Sequence, residues 1–194
     1  IGVMGNTYFM GGMYSGITAF ELVSQIMDDA GFGFIMADGL KDITLSGWIP
    51  YCTHREALQQ AVIAMGAYVD TSRGGAIKIC TQPDFSTARA KLTLDNKIAD
   101  TTVKLLPYKT GVTVVEHNYT LDTEVKELFN DTLTTEDNVI YFDNPSSVTG
   151  VTGAILKESG VNYCVVTVTN EGTVVVKGKE YIDNTRIVTK TLPT

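Results

Sequence analysis

The sequence has few of the residues from which catalytic and metal sites are usually built. It holds two histidines and three cysteines among 194 residues, and Cys52, Cys80 and Cys164 stand far apart, in no CxxC spacing. Three scattered cysteines indicate neither a disulfide framework nor a zinc site. We therefore expect reduced thiols, most of them buried.

Long apolar runs and clustered basic residues are also missing. No run of about 18 apolar residues is present, so no membrane-spanning helix and no membrane partner are predicted. Lysine and arginine number 15 against 22 acidic residues, for a net charge of −7. Because phosphate contacts need clustered basic side chains, we expect no nucleic-acid partner. The chain opens IGVMGNTYFM, without an initiator methionine or secretory signal, and we expect it to belong to a longer polypeptide.

The residues that are present describe a globular protein. Apolar residues make up 44% of the chain and charged residues 19%, and a chain of this length can bury a sizeable core. Helical patterns occur only in the first half, whereas the pattern of the second half predicts strands almost throughout. We therefore predict two domains, residues 1–100 and residues 101–194.

Two helices are predicted in the first half, each opened by the same capping pattern. Thr18–Glu21 and Thr53–Glu56 both place Thr three residues before Glu, the capping box in which each side chain satisfies a free amide of the first turn. Gly31 and Gly66 then suit the left-handed position that ends a helix. The predicted apolar faces are Leu22, Val23, Ile26 and Met27 in the first helix, and Ala57, Leu58, Ala61, Val62 and Met65 in the second.

The two helical stretches match each other at an offset of 35 residues, over residues 15–40 and 50–75. The matching pairs are Thr18/Thr53, Glu21/Glu56, Gln25/Gln60, Gly31/Gly66 and Gly39/Gly74. One interpretation is a duplicated helix-turn-strand unit. The other is chance, because capping residues and terminal glycines recur in unrelated helices.

Short strands complete the first half. One is expected after each helix, within residues 31–37 and 67–72, and the second should form a hairpin with residues 76–81 across Arg73–Gly75. A further strand ends at Pro50, which cannot donate to a ladder. Residues 82–106 read as a connection with a strand on each side of Asp95-Asn96.

The second half is rich in Val and Thr and has turn residues at regular intervals, the pattern of a β-sandwich or barrel. Its outermost strands, residues 111–120 and 173–187, are candidates to pair with each other. The predicted fold class is therefore α+β: an N-terminal α/β domain with two capped helices and a hairpin, then a mostly antiparallel β domain. The remaining strands are expected within residues 125–133, 138–145, 154–160, 162–170 and 185–192.

The stretch YCTHREALQQ, residues 51–60, is the one place where a cysteine and a histidine lie close together. A zinc site would need two more ligands than Cys52 and His54, and the other histidine is the distant His117. Alternate residues entering a helix generally point in different directions, which argues against a Cys-His dyad. We therefore interpret the stretch as a helix start, with His54 and Arg55 exposed in the first turn.

Arg55 places a positive charge at the positive end of the helix dipole, so we expect a carboxylate partner for it.

The other candidate residues show no pattern that is specific for a functional site. The glycines of residues 5–16 lack a phosphate-binding spacing, and Asp28-Asp29 reads as a solvated helix end. Asn118 and Asn130 begin glycosylation sequons without a secretory signal.

Five tyrosines of the second half are either ordinary strand formers or a carbohydrate-binding face: Tyr108, Tyr119, Tyr141, Tyr163 and Tyr181. From the residues alone we predict no catalytic, cofactor-binding or metal-binding site, and no enzyme.

The stretch SGWIPYCTHREALQQAVIAMGAYVDTSRGGAIKI, residues 46–79, resembles tail proteins of siphophages and prophages of Gram-positive, gut-type bacteria. In those proteins a strand and turn lead to an (H/S)REALQQ helix and an apolar hairpin. GVTVVEHNYT, EVKELFNDTL and VVVKGKEYIDNTRIVT extend the resemblance over residues 10–190. Ala61–Ile63 and Gly74-Gly75 depart from it, where bulkier or charged residues are expected.

The chain is more distantly similar to baseplate hub proteins of contractile tails, including the late control protein D group. Their architecture implies β-barrel-like domains around the tail axis with a smaller α/β domain. The resemblance implies a structural component of the tail tip or baseplate, made in the bacterial cytoplasm and located in the virion tail. It would form a homo-oligomer, a trimer or ring, and would contact other tail and baseplate proteins.

Two alternatives belong to other classes. One is a cell-surface or carbohydrate-binding β module without catalysis, which the tyrosines and the acidic charge favour. The other is a hydrolase, because some similar tail-tip proteins carry peptidoglycan-cleaving domains elsewhere in the chain. Cys52 and His54 would be its only candidate residues here.

Overall fold

The computed structural model describes residues 3–72, 76–83 and 111–191. Its fold is α+β and is dominated by mostly antiparallel strands, which confirms the predicted fold class. The predicted domain boundary at residue 100 and the strands beside Asp95-Asn96 lie outside the described residues.

Three α-helices occur in the described part of the first half: α1 (Ala19–Asp29), α2 (Asp38–Lys41) and α3 (His54–Ala64), preceded by a 3-10 turn at Val3–Gly5. Both predicted capping boxes are confirmed. The Thr53 amide donates to Glu56 Oε2 at 3.0 Å, and the Glu56 amide donates to Thr53 Oγ1 at 3.3 Å. Gly31 and Gly66 end the helices with φ of 72° and 66°, a conformation that costs glycine little.

The described strands of the first half form a three-stranded sheet and two separate pairs. They are β1 (Tyr8–Phe9), β2 (Gly12–Thr18), β3 (Phe34–Met36), β4 (Thr44–Ile49), β5 (Cys52–Thr53), β6 (Ala67–Asp70) and β7 (Ile77–Thr81). β7 lies between β3, which is parallel to it, and β6, which is antiparallel. β2 pairs with β4, and β1 pairs with β5. The predicted pairing of residues 67–72 with 76–81 is confirmed, whereas its turn lies outside the described residues.

A single buried cluster holds the first half together, because α1 and α3 turn their apolar faces towards each other and the sheet. Ile26 and Met27 are fully buried, and burying such a side chain contributes about 1.5–3 kcal/mol. All predicted face residues of both helices are buried. The periodicity of the apolar residues therefore identified the core of this half correctly.

Nine strands lie within residues 111–191: β8 (Gly111–Glu116), β9 (Tyr119–Leu121), β10 (Lys126–Leu133), β11 (Asp137–Tyr141), β12 (Ser146–Thr152), β13 (Ile155–Ser159), β14 (Tyr163–Thr167), β15 (Gly172–Asp183) and β16 (Arg186–Thr191). β15 lies between β10 and β12, and β14 lies between β11 and β13. The two antiparallel sheets share one buried cluster that includes Cys164, Val166, Val174 and Val176. This arrangement is a small β-sandwich.

The predicted pairing of residues 111–120 with 173–187 is confirmed only in part, because residues 111–114 pair with residues 188–191 of the strand that was predicted separately. β9 pairs with the last residues of β15, and β8 pairs with β16 in register from Gly111↔Thr191 to Glu116↔Arg186. Between these two ladders, His117-Asn118 lie opposite Asn184-Thr185, which interrupts the pairing. A two-stranded ribbon thus continues directly from the strands of the sandwich.

Six elements of the described residues were not predicted: the 3-10 turn, β1, β2, α2, β5 and β12. In β2 the register shifts between Ser15 and Ile17, where Gly16 has φ of 72°. A bulge of this kind disturbs the alternation by which a strand is recognised. In β12 the register shifts between Val148 and Gly150, and the preceding Asn144-Pro145 reads as a turn.

The duplication of the helix-turn-strand unit stays a prediction. The shared caps and left-handed glycines are present in both units, and each helix is followed by a strand that neighbours β7. Gly74, the partner of Gly39 in the repeat, lies outside the described residues.

The capping boxes predict a specific loss of stability in acid. Hydrogen bonds from Thr53 lower the pKa of the Glu56 carboxyl, and those from Thr18 lower that of Glu21. A depressed carboxyl pKa stabilises the fold above the pKa of the unfolded chain, and this contribution is lost as the pH falls through the folded-state pKa. Below about pH 4, the melting temperature should therefore fall less for Glu56→Gln than for the wild type.

Glutamine still completes a capping box, so the variant should fold at every pH tested. Glu171→Gln is the matched control, because Glu171 makes no hydrogen bond or ion pair with another described residue, and it should keep the full acid loss. Melting temperatures from circular dichroism between pH 7 and pH 2.5 measure the effect. Identical acid profiles for Glu56→Gln and the wild type would contradict the prediction.

Candidate functional site at the junction of the two halves

His54 does not occupy the exposed first-turn position that we predicted. It is 2% exposed, with Nδ1 2.9 Å from Thr7 Oγ1 and Nε2 2.9 Å from Asp29 Oδ2. The pairing of β1 with β5 brings Thr7 over the start of α3, and the end of α1 brings Asp29. His54 therefore ties three segments together, and Asp29 is more than a solvated helix end.

Neighbouring side chains do not complete a reactive centre around His54. Burial raises the pKa of the Cys52 thiol to about 11, which keeps it protonated and weakly nucleophilic at neutral pH. Arg55 is exposed, and its guanidinium lies beside the backbone of Gly5. Within residues 3–72, 76–83 and 111–191, no group of three or more His, Cys, Asp or Glu side chains is placed to hold a metal ion.

Four tyrosine rings meet where the two halves touch, and we call them the tyrosine cluster: Tyr8, Tyr51, Tyr141 and Tyr163. Tyr51 is at its centre. Its ring stacks on Tyr8 at 5.2 Å between centroids, and it lies at 4.9 Å from Tyr163 and 6.3 Å from Tyr141. Contacts of this kind contribute about 0.5–1.5 kcal/mol each beyond the area that they bury.

Polar contacts fix the tyrosine cluster in place. The Tyr51 amide donates to Asn162 Oδ1 at 2.9 Å. The Tyr163 hydroxyl donates to the Glu158 carboxylate and also lies 3.4 Å from Met10 Sδ. Burial, and secondly the hydrogen bond to Glu158, raise the pKa of Tyr163. The buried ring thus remains neutral and acts as a fixed packing surface.

A cavity of about 230 Å³ opens at the same junction, and we call it the Trp48 cleft. α1, α3 and the paired strands β2 and β4 supply one part of its lining, and His117 and Tyr119, at the start of β9, supply the other. The lining residues are Tyr14, Leu22, Leu45, Ser46, Gly47, Trp48, Ile49, Gln60, Ala61, Ala64, His117 and Tyr119.

A chain of contacts holds the aromatic residues of the cleft. Trp48 Nε1 donates to the Tyr119 hydroxyl at 3.2 Å. The Tyr119 ring is nearly parallel to the His117 ring, at 6.0 Å between centroids and 10° between planes. His117 Nδ1 lies 2.6 Å from Asp183 Oδ2, and this hydrogen bond lowers the pKa of the Asp183 carboxyl. These contacts fix the positions of the three rings relative to one another.

In the sequence, Cys52 and His54 were the residues considered as a metal or catalytic site, but the junction is formed by residues next to them. Trp48 and Tyr51 lie on either side of Pro50, where β4 must end. Two aromatic residues at the end of a strand were the sequence feature that could have indicated this site. The tyrosines considered as a carbohydrate-binding face are dispersed. Tyr119 lines the cleft, Tyr141 and Tyr163 belong to the tyrosine cluster, Tyr181 lines a separate depression, and Tyr108 lies outside the described residues.

Both sequon asparagines are engaged within the β half. The Asn118 carbonyl accepts from the Asn184 amide at 2.9 Å, and Asn130 Nδ2 donates to Glu127 at 3.0 Å. No helix in the described part of the chain is long and apolar enough to cross a membrane.

Comparison with known proteins gives no relative from which a role can be transferred. No protein-family model matches the chain, no curated protein matches it, and no solved structure matches its fold. The function must therefore be argued from the chain's own residues.

Replacement of Tyr51 should weaken the junction. Tyr51→Ala removes three ring contacts and should lower the free energy of unfolding by about 2 kcal/mol. Tyr51→Phe keeps the ring, and the Tyr51 hydroxyl makes no hydrogen bond to another described residue, so this control should stay within about 0.5 kcal/mol of the wild type. Urea denaturation followed by fluorescence and by circular dichroism measures both.

In Tyr51→Ala we also expect fluorescence and circular dichroism to report unfolding transitions with different urea midpoints. The single tryptophan, Trp48, belongs to the first half, whereas circular dichroism reports all the strands. Equal midpoints for Tyr51→Ala and Tyr51→Phe would show that the tyrosine cluster does not couple the halves.

Proposed function

We propose that this chain is a structural component of a phage or prophage tail, hub-like at the tail tip or baseplate, that assembles with copies of itself and with other tail proteins. The observation that carries the proposal is the exposed ribbon formed by β8 and β16. The resemblance of residues 46–79 to siphophage tail proteins supplies the family.

The ribbon exposes apolar side chains on both faces. Thr113 Oγ1 and Thr189 Oγ1 are 3.2 Å apart, so opposed residues share a face. Val115 and Ile187 accordingly lie on one face, and Val114 and Val188 on the other. Their exposed fractions are 42%, 65%, 58% and 49% respectively.

An isolated two-stranded ribbon is marginally stable in water, and exposed apolar strands are normally covered. Among the described strands, β8 and β16 pair only with each other, so each leaves an edge of unpaired backbone groups. Strands from further copies of the chain satisfy these edges and cover the faces. Repeated by rotation, such contacts close a ring or trimer.

A role without catalysis agrees with the chemistry of the residues that were candidates. Both ring nitrogens of His54 lie within hydrogen-bond distance of Thr7 and Asp29, and the Cys52 thiol stays protonated at neutral pH. The tail role requires packed surfaces and a stable junction, and both follow from the geometry described above.

Gene context gives the decisive test of the tail proposal. Tail genes are grouped by assembly function, so the neighbouring genes should encode tape-measure, tail-fibre and lysis proteins. Sequencing of the flanking genome measures this directly. A neighbourhood of metabolic genes would overturn the proposal.

The assembly surface can be tested with two matched double variants. Val114→Thr/Ile187→Thr keeps the strand propensity but removes apolar surface from both faces of the ribbon, and should raise the self-dissociation constant at least about tenfold. Val139→Thr/Ile155→Thr makes the same change at sandwich residues that are 50% and 62% exposed, and should leave association unchanged.

Sedimentation equilibrium of the three proteins gives the constants. A wild-type chain that stays monomeric, or equal constants for the two double variants, would remove the ribbon as the assembly surface.

A further inference from the structure

The Trp48 cleft has a lining without charged carboxylates, ammonium or guanidinium groups. None of the described lining residues is Asp, Glu, Lys or Arg. The lining includes one imidazole, that of His117, and its Nδ1 is already paired with Asp183. An ion entering such a site would lose its hydration without gaining a carboxylate, ammonium or guanidinium partner, at a cost of several kcal/mol in principle. The cleft therefore selects an uncharged ligand.

The lining is nevertheless not simply apolar. The Tyr14 hydroxyl and the Gln60 side-chain amide both line the cleft, and neither makes a hydrogen bond to another described residue. A wholly apolar ligand would strip water from these groups without replacing its hydrogen bonds, which is unfavourable. The ligand must thus carry hydroxyl or similar groups.

Aromatic surface and open backbone complete the site. Trp48, Tyr119 and Tyr14 supply rings to the lining, and the first two are joined by a hydrogen bond. Gly47 lies in the interior of β4, and a Cβ built on it would meet no atom within 4 Å. The φ of 140° at Gly47 by itself favours glycine, so this residue adds open backbone to the site without indicating a ligand. At about 230 Å³ the space is smaller than a drug-sized pocket and suits one ring.

We propose that the Trp48 cleft binds one uncharged sugar ring. The carbon-bound hydrogens of the ring contact the aromatic side chains, while its hydroxyls exchange hydrogen bonds with Gln60 and Tyr14. A sugar combines an apolar ring surface with neutral hydroxyls, as this lining requires. The site does not depend on the tail role or on assembly through the ribbon.

Trp48 is the only tryptophan of the chain, so its fluorescence reports directly on the cleft. Titration of the intact chain with glucose, galactose and N-acetylglucosamine should give a saturable change for at least one of them. Glucuronic acid, which adds a negative charge to the same ring, should bind at least about tenfold more weakly.

Adjacent glutamines of α3 provide a matched pair of variants. Gln60 lines the cleft, whereas Gln59 lines a separate depression beside Arg55. Both are exposed, and alanine favours the helix, so both variants should fold. Gln60→Ala should raise the dissociation constant of the responding sugar about fivefold, and Gln59→Ala should leave it unchanged.

Three results would overturn the inference. The first is no saturable response to any of the three sugars. The second is saturation by cyclohexanol but by none of the sugars, which would identify the cleft as an apolar site. The third is an equal effect of Gln59→Ala and Gln60→Ala, which would place the sugar elsewhere.

Discussion

The hydrogen bonds of the buried His54 ring fix the start of α3 relative to two other segments of the first half, and the position of the junction depends on them. The ring connects the segment before β1, the end of α1 and the start of α3. The backbone adds a further link, because the His54 amide donates to the Thr7 carbonyl at 3.1 Å. Pro50–Thr53 directly precede α3, and Tyr51 in this segment contacts Tyr141 and Tyr163 of the second half.

Local chemistry explains why part of this arrangement was predictable. A Thr and a Glu three residues apart satisfy each other's backbone amides wherever they begin a helix, so both helix starts followed from the sequence. The apolar faces followed from helical periodicity, because α1 and α3 each bury one side. Apart from β12, the strands of the sandwich followed from their Val and Thr content and from the turns between them.

What could not be predicted depends on residues that are distant in sequence. The burial of His54 requires β1, a strand of two residues among glycines, to pair with β5 more than 40 residues later. Trp48 and Tyr51 become parts of a site only because Tyr119, Tyr141 and Tyr163 reach them from the second half. The bulges of β2 and β12 disturb the alternation that identifies a strand, and their effect is visible only in the register.

The length of β15 has a mechanical consequence. This strand of 12 residues pairs with β10 and β12 inside the sandwich and then continues to the start of the ribbon. A force applied along β15 therefore loads its two flanking ladders in shear. Their hydrogen bonds share the load and must break together, whereas a force across the strands would open them one after another. The sandwich consequently resists tension along β15 better than tension across it.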